Sequence, residues 1–381
     1  MAKHIAIIGA GPIGLEAALY AKSLGHDVVV FERGCVAANI EEWKFVRLFS
    51  PWLLSTTSLG RKVISGIAPL LPLEQYPTAR DFRERYLLPL SRCSLLVGCV
   101  RENNPVTSVA KDSQGDLPFR IGAKDEAGRE YVERADILLD CSGTYGSPRW
   151  AGDHGNPAPG EPELRDRVFY AIPDVLGQHR DRFADHHTLV IGCTYSSAIV
   201  LRDLQDLAAN RRRTMVTWAV RRPDQAVHPI LNDPLRSRGR LVELLLRLIE
   251  HPPGWLQYLS TAVLESITAT NRHFTATFRS NGRIVSLMPD EVVSLNGFRP
   301  DNSMYESATS AAGPIKAAAL DREDKAPPTF ATGGSGSDSS FFVLGAKSYG
   351  MNSNFLLQAG HMQVCEIFTV IEGNENLDLY Q

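Results

Sequence analysis

Short unbroken apolar runs recur along this chain, and two of them are followed by a stretch with helical spacing. Ile5-Ala6-Ile7-Ile8, Val28-Val29-Val30-Phe31, Ile137-Leu138-Leu139, Leu189-Val190-Ile191 and Val292-Val293 are apolar on both faces. Such runs read as strands covered on both sides, as in a parallel sheet. Helical patterns follow the first and fourth runs, at Leu15 to Leu24 and on to about Ala209. Two other regions alternate instead. Phe274-Thr275-Ala276-Thr277-Phe278 has period two, and β-meanders are predicted at about 94–132 and 262–287. The β-turn-α-β layout occurs twice, which predicts an α/β fold with two nested Rossmann-like domains. The first is discontinuous, from residues 1–160 and 290–381. The second, 161–289, is inserted into it and carries a loop-plus-helix insertion at about 223–260. Ala135 to Tyr145 and Asp290 to Pro300 are the two returns between them.

The turn after the first strand carries the chemistry. It reads Gly9-Ala10-Gly11-Pro12-Ile13-Gly14, and the second strand ends in Glu32-Arg33. Strand, G-x-G-x-x-G, helix, strand and acid together make a complete dinucleotide site. Gly9 permits the tight turn, Gly11 lets backbone approach a pyrophosphate, and Gly14 lets helix and strand pack closely. Pro12 and Ile13 open the helix, whose free N–H groups and positive dipole end favour phosphate. Glu32 accepts ribose hydroxyls and repels a 2′-phosphate.

The second unit repeats the layout with altered chemistry. Its turn is Gly192-Cys193-Thr194-Tyr195-Ser196-Ser197, so two of the three glycines are replaced. Arg221-Arg222 stands where the acid would be, which suits a 2′-phosphate. The site is thereby assigned to NADPH rather than NADH if it binds nucleotide at all; a relic fold kept for structure is the alternative.

Bulk properties narrow the field. The 381 residues are enough for two to three domains. A formal net charge of −3 gives no electrostatic footprint for nucleic acid or an anionic membrane. No apolar run has the length of a membrane span, and the first strand begins at about residue 4, so the default expectation is cytoplasmic residence. None of the six cysteines forms a C-x-x-C pair, which argues against a redox dithiol and a zinc site; no metal is expected. No histidine pairs with a Ser or Cys motif as a hydrolytic triad would require.

With these motifs the chain resembles the two-dinucleotide-binding-domain flavoproteins, and among them the class B flavin monooxygenases, including N-hydroxylating ones. Three further segments carry the likeness: Tyr76-Pro77-Thr78 with the helix through Tyr86-Leu87-Leu88, the turn Cys141-Ser142-Gly143-Thr144, and Asp290 to Phe298. The F-x-G-x-x-x-H fingerprint of the flavin-containing branch is absent before the second unit. The resemblance implies FAD at the first site and NADPH at the second. It places Arg47, Ser142, Gly143, Gly345, Asn352 and Asn354 beside the FAD, and leaves Trp52, Lys347 and Tyr349 as substrate-side residues. Lys347 either binds an anionic substrate or is solvated at the rim. The implied reaction is NADPH-dependent oxygenation of a small soft nucleophile, N or S, by O2 through a C4a-(hydro)peroxyflavin. Two alternatives stay open: an oxidase or dehydrogenase taking hydride from its substrate without NADPH, and a non-catalytic flavin-binding redox sensor. The 223–260 insertion reads as a lid or a homodimer contact.

Overall fold

The structure, a computed structural model, describes residues 1–111, 117–223, 230, 233, 235–306, 331–332, 340–350 and 354–381. The chain divides into two compact units, Met1–Ser147 with Arg299–Gln381, and Pro148–Phe298. These divisions fall at 147/148 and 298/299, against the expected 160/161 and 289/290.

In the first unit, β1 (His4–Ile8) and β2 (Asp27–Phe31) are parallel and flank the helix α1 (Pro12–Ser23) in sequence. β3 (Val100–Arg101) extends the sheet beyond β2. A separate antiparallel sheet holds β4 (Val106–Lys111), β5 (Phe119–Lys124) and β6 (Glu130–Ala135). β7 (Ile137–Asp140) then returns to pair with β1. The continuous apolar strands have two covered faces, as their pattern demands. Ile5, Ile7, Val28 and Val30 pack with α1 and the last helix, while Ala6, Ile8, Val29 and Phe31 pack on the meander residues Val109, Phe119 and Ile121.

In the second unit, β8 (His187–Ile191), α2 (Tyr195–Asn210) and β9 (Met215–Val220) form the repeated crossover. α3 (Arg236–Glu250) follows, then β10 (Leu256–Ser260), which pairs parallel with β9. The segment expected as an insertion is therefore largely a second crossover of the same sheet. Residues 224–229, 231–232 and 234 lie outside the described residues. The second predicted meander is present as β11 (Ala262–Ala269), β12 (Phe274–Ser280) and β13 (Arg283–Leu287). β14 (Glu291–Ser294) closes the four-stranded sheet in the order β10-β9-β8-β14.

The chain then re-enters the first unit. β15 (Ala331–Thr332) and β16 (Phe341–Val343) complete a sheet of order β15-β16-β7-β1-β2-β3. A tight turn, Gly345–Tyr349, leads toward α4 (Leu357–Glu372), which packs on α1. No helix among the described residues is long and apolar enough to cross a membrane.

Candidate functional site

The turn from β1 into α1 is built by contacts that tolerate no side chain at two of its three glycines. Gly9 has φ +101°, and a Cβ there would lie 2.7 Å from the Cys141 carbonyl oxygen. A Cβ on Gly14 would overlap the Gly9 carbonyl oxygen. Gly11 is different. It is the N-cap of α1 with φ −80° and ψ −174°, a conformation open to any residue, and a Cβ there would meet nothing within 4 Å. No contact among the described residues demands glycine at this position. The space in front of it, at a helix N-terminus with Pro12 as first residue and no side-chain cap, is what a pyrophosphate requires.

Glu32 joins the end of β2 to that turn. Its carboxylate accepts the Ala10 and Gly34 N–H groups, each at 2.9 Å. It also lines a cavity of about 140 Å³ together with Arg33, Ser142, Gly143, Asp301 and Ser303. Arg33 is exposed, and its guanidinium lies against Gly146, where a Cβ would collide with Nη2. Ser142 is held by Asp140, whose Oδ1 accepts both its N–H at 3.0 Å and its hydroxyl at 2.6 Å. These residues suit the adenosine end of a dinucleotide.

Lys347 is not solvated at a rim but buried against a carboxylate. It is 0% exposed and its Nζ lies 2.6 Å from Oδ2 of Asp140, also 0% exposed. It donates further to the Asp301 carbonyl at 2.7 Å and to the Ser142 hydroxyl at 3.2 Å. Tyr305 donates to the same Asp140 oxygen; burial and that carboxylate push its hydroxyl well above the usual tyrosine range. A buried ammonium takes whatever acceptors neutralise it, and here the sequence supplied them in Asp140. Trp52 is likewise corrected: it is 1% exposed, tilted against Phe82 at 6.2 Å and covered by Arg85, with no face left for a ligand. Tyr349 is half-buried, edge-on to Phe355 at 5.2 Å.

Other expected residues are placed as follows. Arg47 is exposed and donates to the Tyr76 carbonyl. Gly345 has φ +70° and sits against Ile13 of α1. Asn352 lies outside the described residues. Asn354 does not cap the last helix, which starts at Leu357 with Leu356 as N-cap, a residue with no side-chain acceptor. Sequence reasoning missed Asp140, Asp301 and Tyr305. The signal was present for the first: a carboxylate closing the apolar strand Ile137-Leu138-Leu139 needs a cationic partner.

The second unit's turn is also intact in shape but closed by its own side chains. Gly192 has φ +120°, and a Cβ there would collide with the Leu295 carbonyl oxygen. Thr194 caps α2: its hydroxyl accepts the Ser197 N–H at 3.4 Å, while the Ser197 hydroxyl accepts the Thr194 N–H at 3.3 Å. This reciprocal pair occupies N–H groups that a phosphate would otherwise use. Tyr195, the first residue of α2, lies beside Arg238, which pairs with Asp233 through two bonds of 2.8 Å. Ser196 follows it, half-buried. Arg221 donates to the Gly152 carbonyl at 2.9 Å, and Arg222 is half-buried beside it.

Two such folds, one inserted in the sequence of the other, define the two-dinucleotide-binding-domain flavoproteins. The chain belongs to the pyridine nucleotide-disulphide oxidoreductase family, which matches residues 6–326. The flavin-containing monooxygenase FMO GS-OX5 of Arabidopsis thaliana is 28% identical over a stretch covering 54% of this chain and 47% of that protein. The chain thus spans about half the length of the curated relatives it matches. Among solved structures, the bacillithiol disulfide reductase Bdr of Bacillus cereus superposes with a TM-score of 0.68 at 20% identity, covering 98% of this chain and 100% of that one. DfoA, a cadaverine monooxygenase of Erwinia amylovora bound to FAD, gives 0.67 at 15%, covering 100% and 98%. At these identities the likeness is one of fold.

Proposed function

We propose that the protein is an FAD-dependent oxidoreductase and, within that class, an NADPH-dependent monooxygenase acting on a small nitrogen or sulfur nucleophile with O2. The observation that carries the FAD reading is Gly11, an unstrained glycine with open space before it at an uncapped helix end. Its N-terminal amides and the α1 dipole would neutralise the pyrophosphate. Glu32, braced by Ala10 and Gly34, would accept the ribose hydroxyls. Bound FAD supplies two-electron redox chemistry and, once reduced, activation of O2. The similarity to FMO GS-OX5 supports the oxygenase reading, and Arg221-Arg222 supports NADPH as reductant.

One observation favours a second reading, an oxidase or dehydrogenase that does not use NADPH: the Thr194–Ser197 pair that caps α2 on itself. Anaerobic mixing with NADPH separates the two. Rapid bleaching of the bound flavin is expected, and a flavin that stays oxidised removes the monooxygenase reading. Protein that remains colourless after incubation with FAD would end both.

A further inference from the structure

Two other turns lie beside the dinucleotide turn. Segment 141–144 follows β7, which pairs with β1: the Cys141 carbonyl oxygen is the atom that a Cβ on Gly9 would strike, and its Cβ would be 3.3 Å from one on Gly14. The Gly345–Tyr349 turn follows β16, the next strand beyond β7, with Gly345 against Ile13. The second turn is itself braced by Gln363, which accepts the Gly345 N–H at 2.8 Å and donates to the Ser348 hydroxyl at 2.8 Å. One ion pair joins the two turns. Asp140 ends the strand before the first and holds Ser142; Lys347 lies within the second and donates to both Asp140 and Ser142. Lys347 also fixes Asp301, and Asp140 fixes Tyr305, so the segment bearing the cavity residues Asp301 and Ser303 is bound into the same network.

We propose that Asp140 and Lys347 are positioning residues for the dinucleotide cradle, setting the spacing of the two adjacent turns beside the N-terminus of α1. The proposal rests on the FAD reading above. A buried ion pair is weak evidence for stability, because a well-packed apolar pair at the same place is often as stabilising or more so. What an apolar pair lacks is direction. Only the charged pair ties Ser142, Asp301 and Tyr305 to one point by oriented bonds. Touching neither the expected pyrophosphate nor the ribose, the pair acts through the turns.

The informative variant is therefore the double substitution Asp140→Leu with Lys347→Met, which removes the pair without leaving an uncompensated buried charge. It is expected to keep its thermal midpoint within a few degrees of the wild type while binding FAD about tenfold more weakly or worse, with a shifted visible spectrum of the bound flavin. Phe278→Leu, a core change in the other unit, shows how far FAD affinity follows lost stability alone. Tyr305→Phe keeps the pair and loses one bond to Asp140; a smaller weakening in the same direction is expected. FAD affinity and spectrum like the wild type's in the double variant, or in Tyr305→Phe should the double variant not fold, would overturn the proposal alone. Wild-type protein that takes up no FAD would overturn the FAD reading and this proposal together.

Discussion

Three glycines with one consensus turn out to have different employers. Gly9 and Gly14 serve the protein, since each faces a backbone carbonyl at a distance no Cβ tolerates, whereas Gly11 faces open space. Gly14→Val should therefore cost more than about 4 kcal/mol or prevent folding. Gly11→Val should change stability by only about 1 kcal/mol, the scale of an N-cap change, yet abolish FAD retention; a yellow Gly11→Val protein would contradict the assigned cradle. A second residue-scale consequence concerns two buried groups that both touch Tyr380. Glu16, 0% exposed and bonded by Tyr86, Thr57 and Tyr380, is pushed up to about 7 by burial. His361, edge-on to Tyr380 at 6.2 Å, is pushed down to about 4 by burial and by Arg61. Between about pH 4.5 and 7 the folded state holds more protons at Glu16 than the unfolded chain, so that group loses stability as pH rises. Between about pH 4 and 6.5 the folded state holds fewer at His361, so that group gains it. The two slopes oppose. Glu16→Gln should unmask a rise of about 3 kcal/mol from pH 4 to 6.5, at roughly 1.4 kcal/mol for each pH unit crossed; a flat denaturation profile in that variant would refute the assignment. Neither the pairing of Glu16 with three hydroxyls nor that of Asp140 with Lys347 was legible in the sequence, because each depends on distant positions brought together only by the tertiary fold.

At the scale of elements, the two crossover helices differ at their first turn. α1 begins without a side-chain acceptor, and α2 begins with a capping pair that bonds to itself. Thr194→Gly should cost only a few tenths of a kcal/mol, as glycine is tolerated at N-caps, while freeing the Ser197 N–H; if the second site takes NADPH, its affinity should rise in a direct binding titration. Arg221→Ala should weaken NADPH far more than NADH, and equal weakening would remove the 2′-phosphate assignment. The strand and meander pattern was readable because continuous and alternating apolar runs have distinct periods. β10 was not, because Leu256–Ser260 alternates weakly and follows a strongly amphipathic helix, so the whole of 223–260 read as an insertion. The start of α4 was misplaced for a related reason: Asn354 has the right chemistry for a cap, but the helix begins three residues later.

At the scale of the whole molecule, α/β class and nesting followed from the repeat of one motif, since strand, turn and helix are local. The buried ion pair and the exact crossover points were not local, and only the fold supplied them. Those crossover points have a consequence of their own. In the first unit the Arg299 N–H donates to the Ser147 carbonyl at 2.9 Å, and in the second Pro148 bridges Phe298 and the Arg149 N–H donates to the Gly297 carbonyl at 3.0 Å. Each unit's two cut ends therefore lie side by side. Ends that close need only a short tether, and closing a short loop costs little conformational entropy. Replacing 148–298 by a few glycine and serine residues should yield a miniature protein that folds, melts cooperatively and still retains FAD. The inserted half, closed at its own neck, should be expressible separately. A miniature that is unfolded by circular dichroism would mean that the outer half depends on its guest.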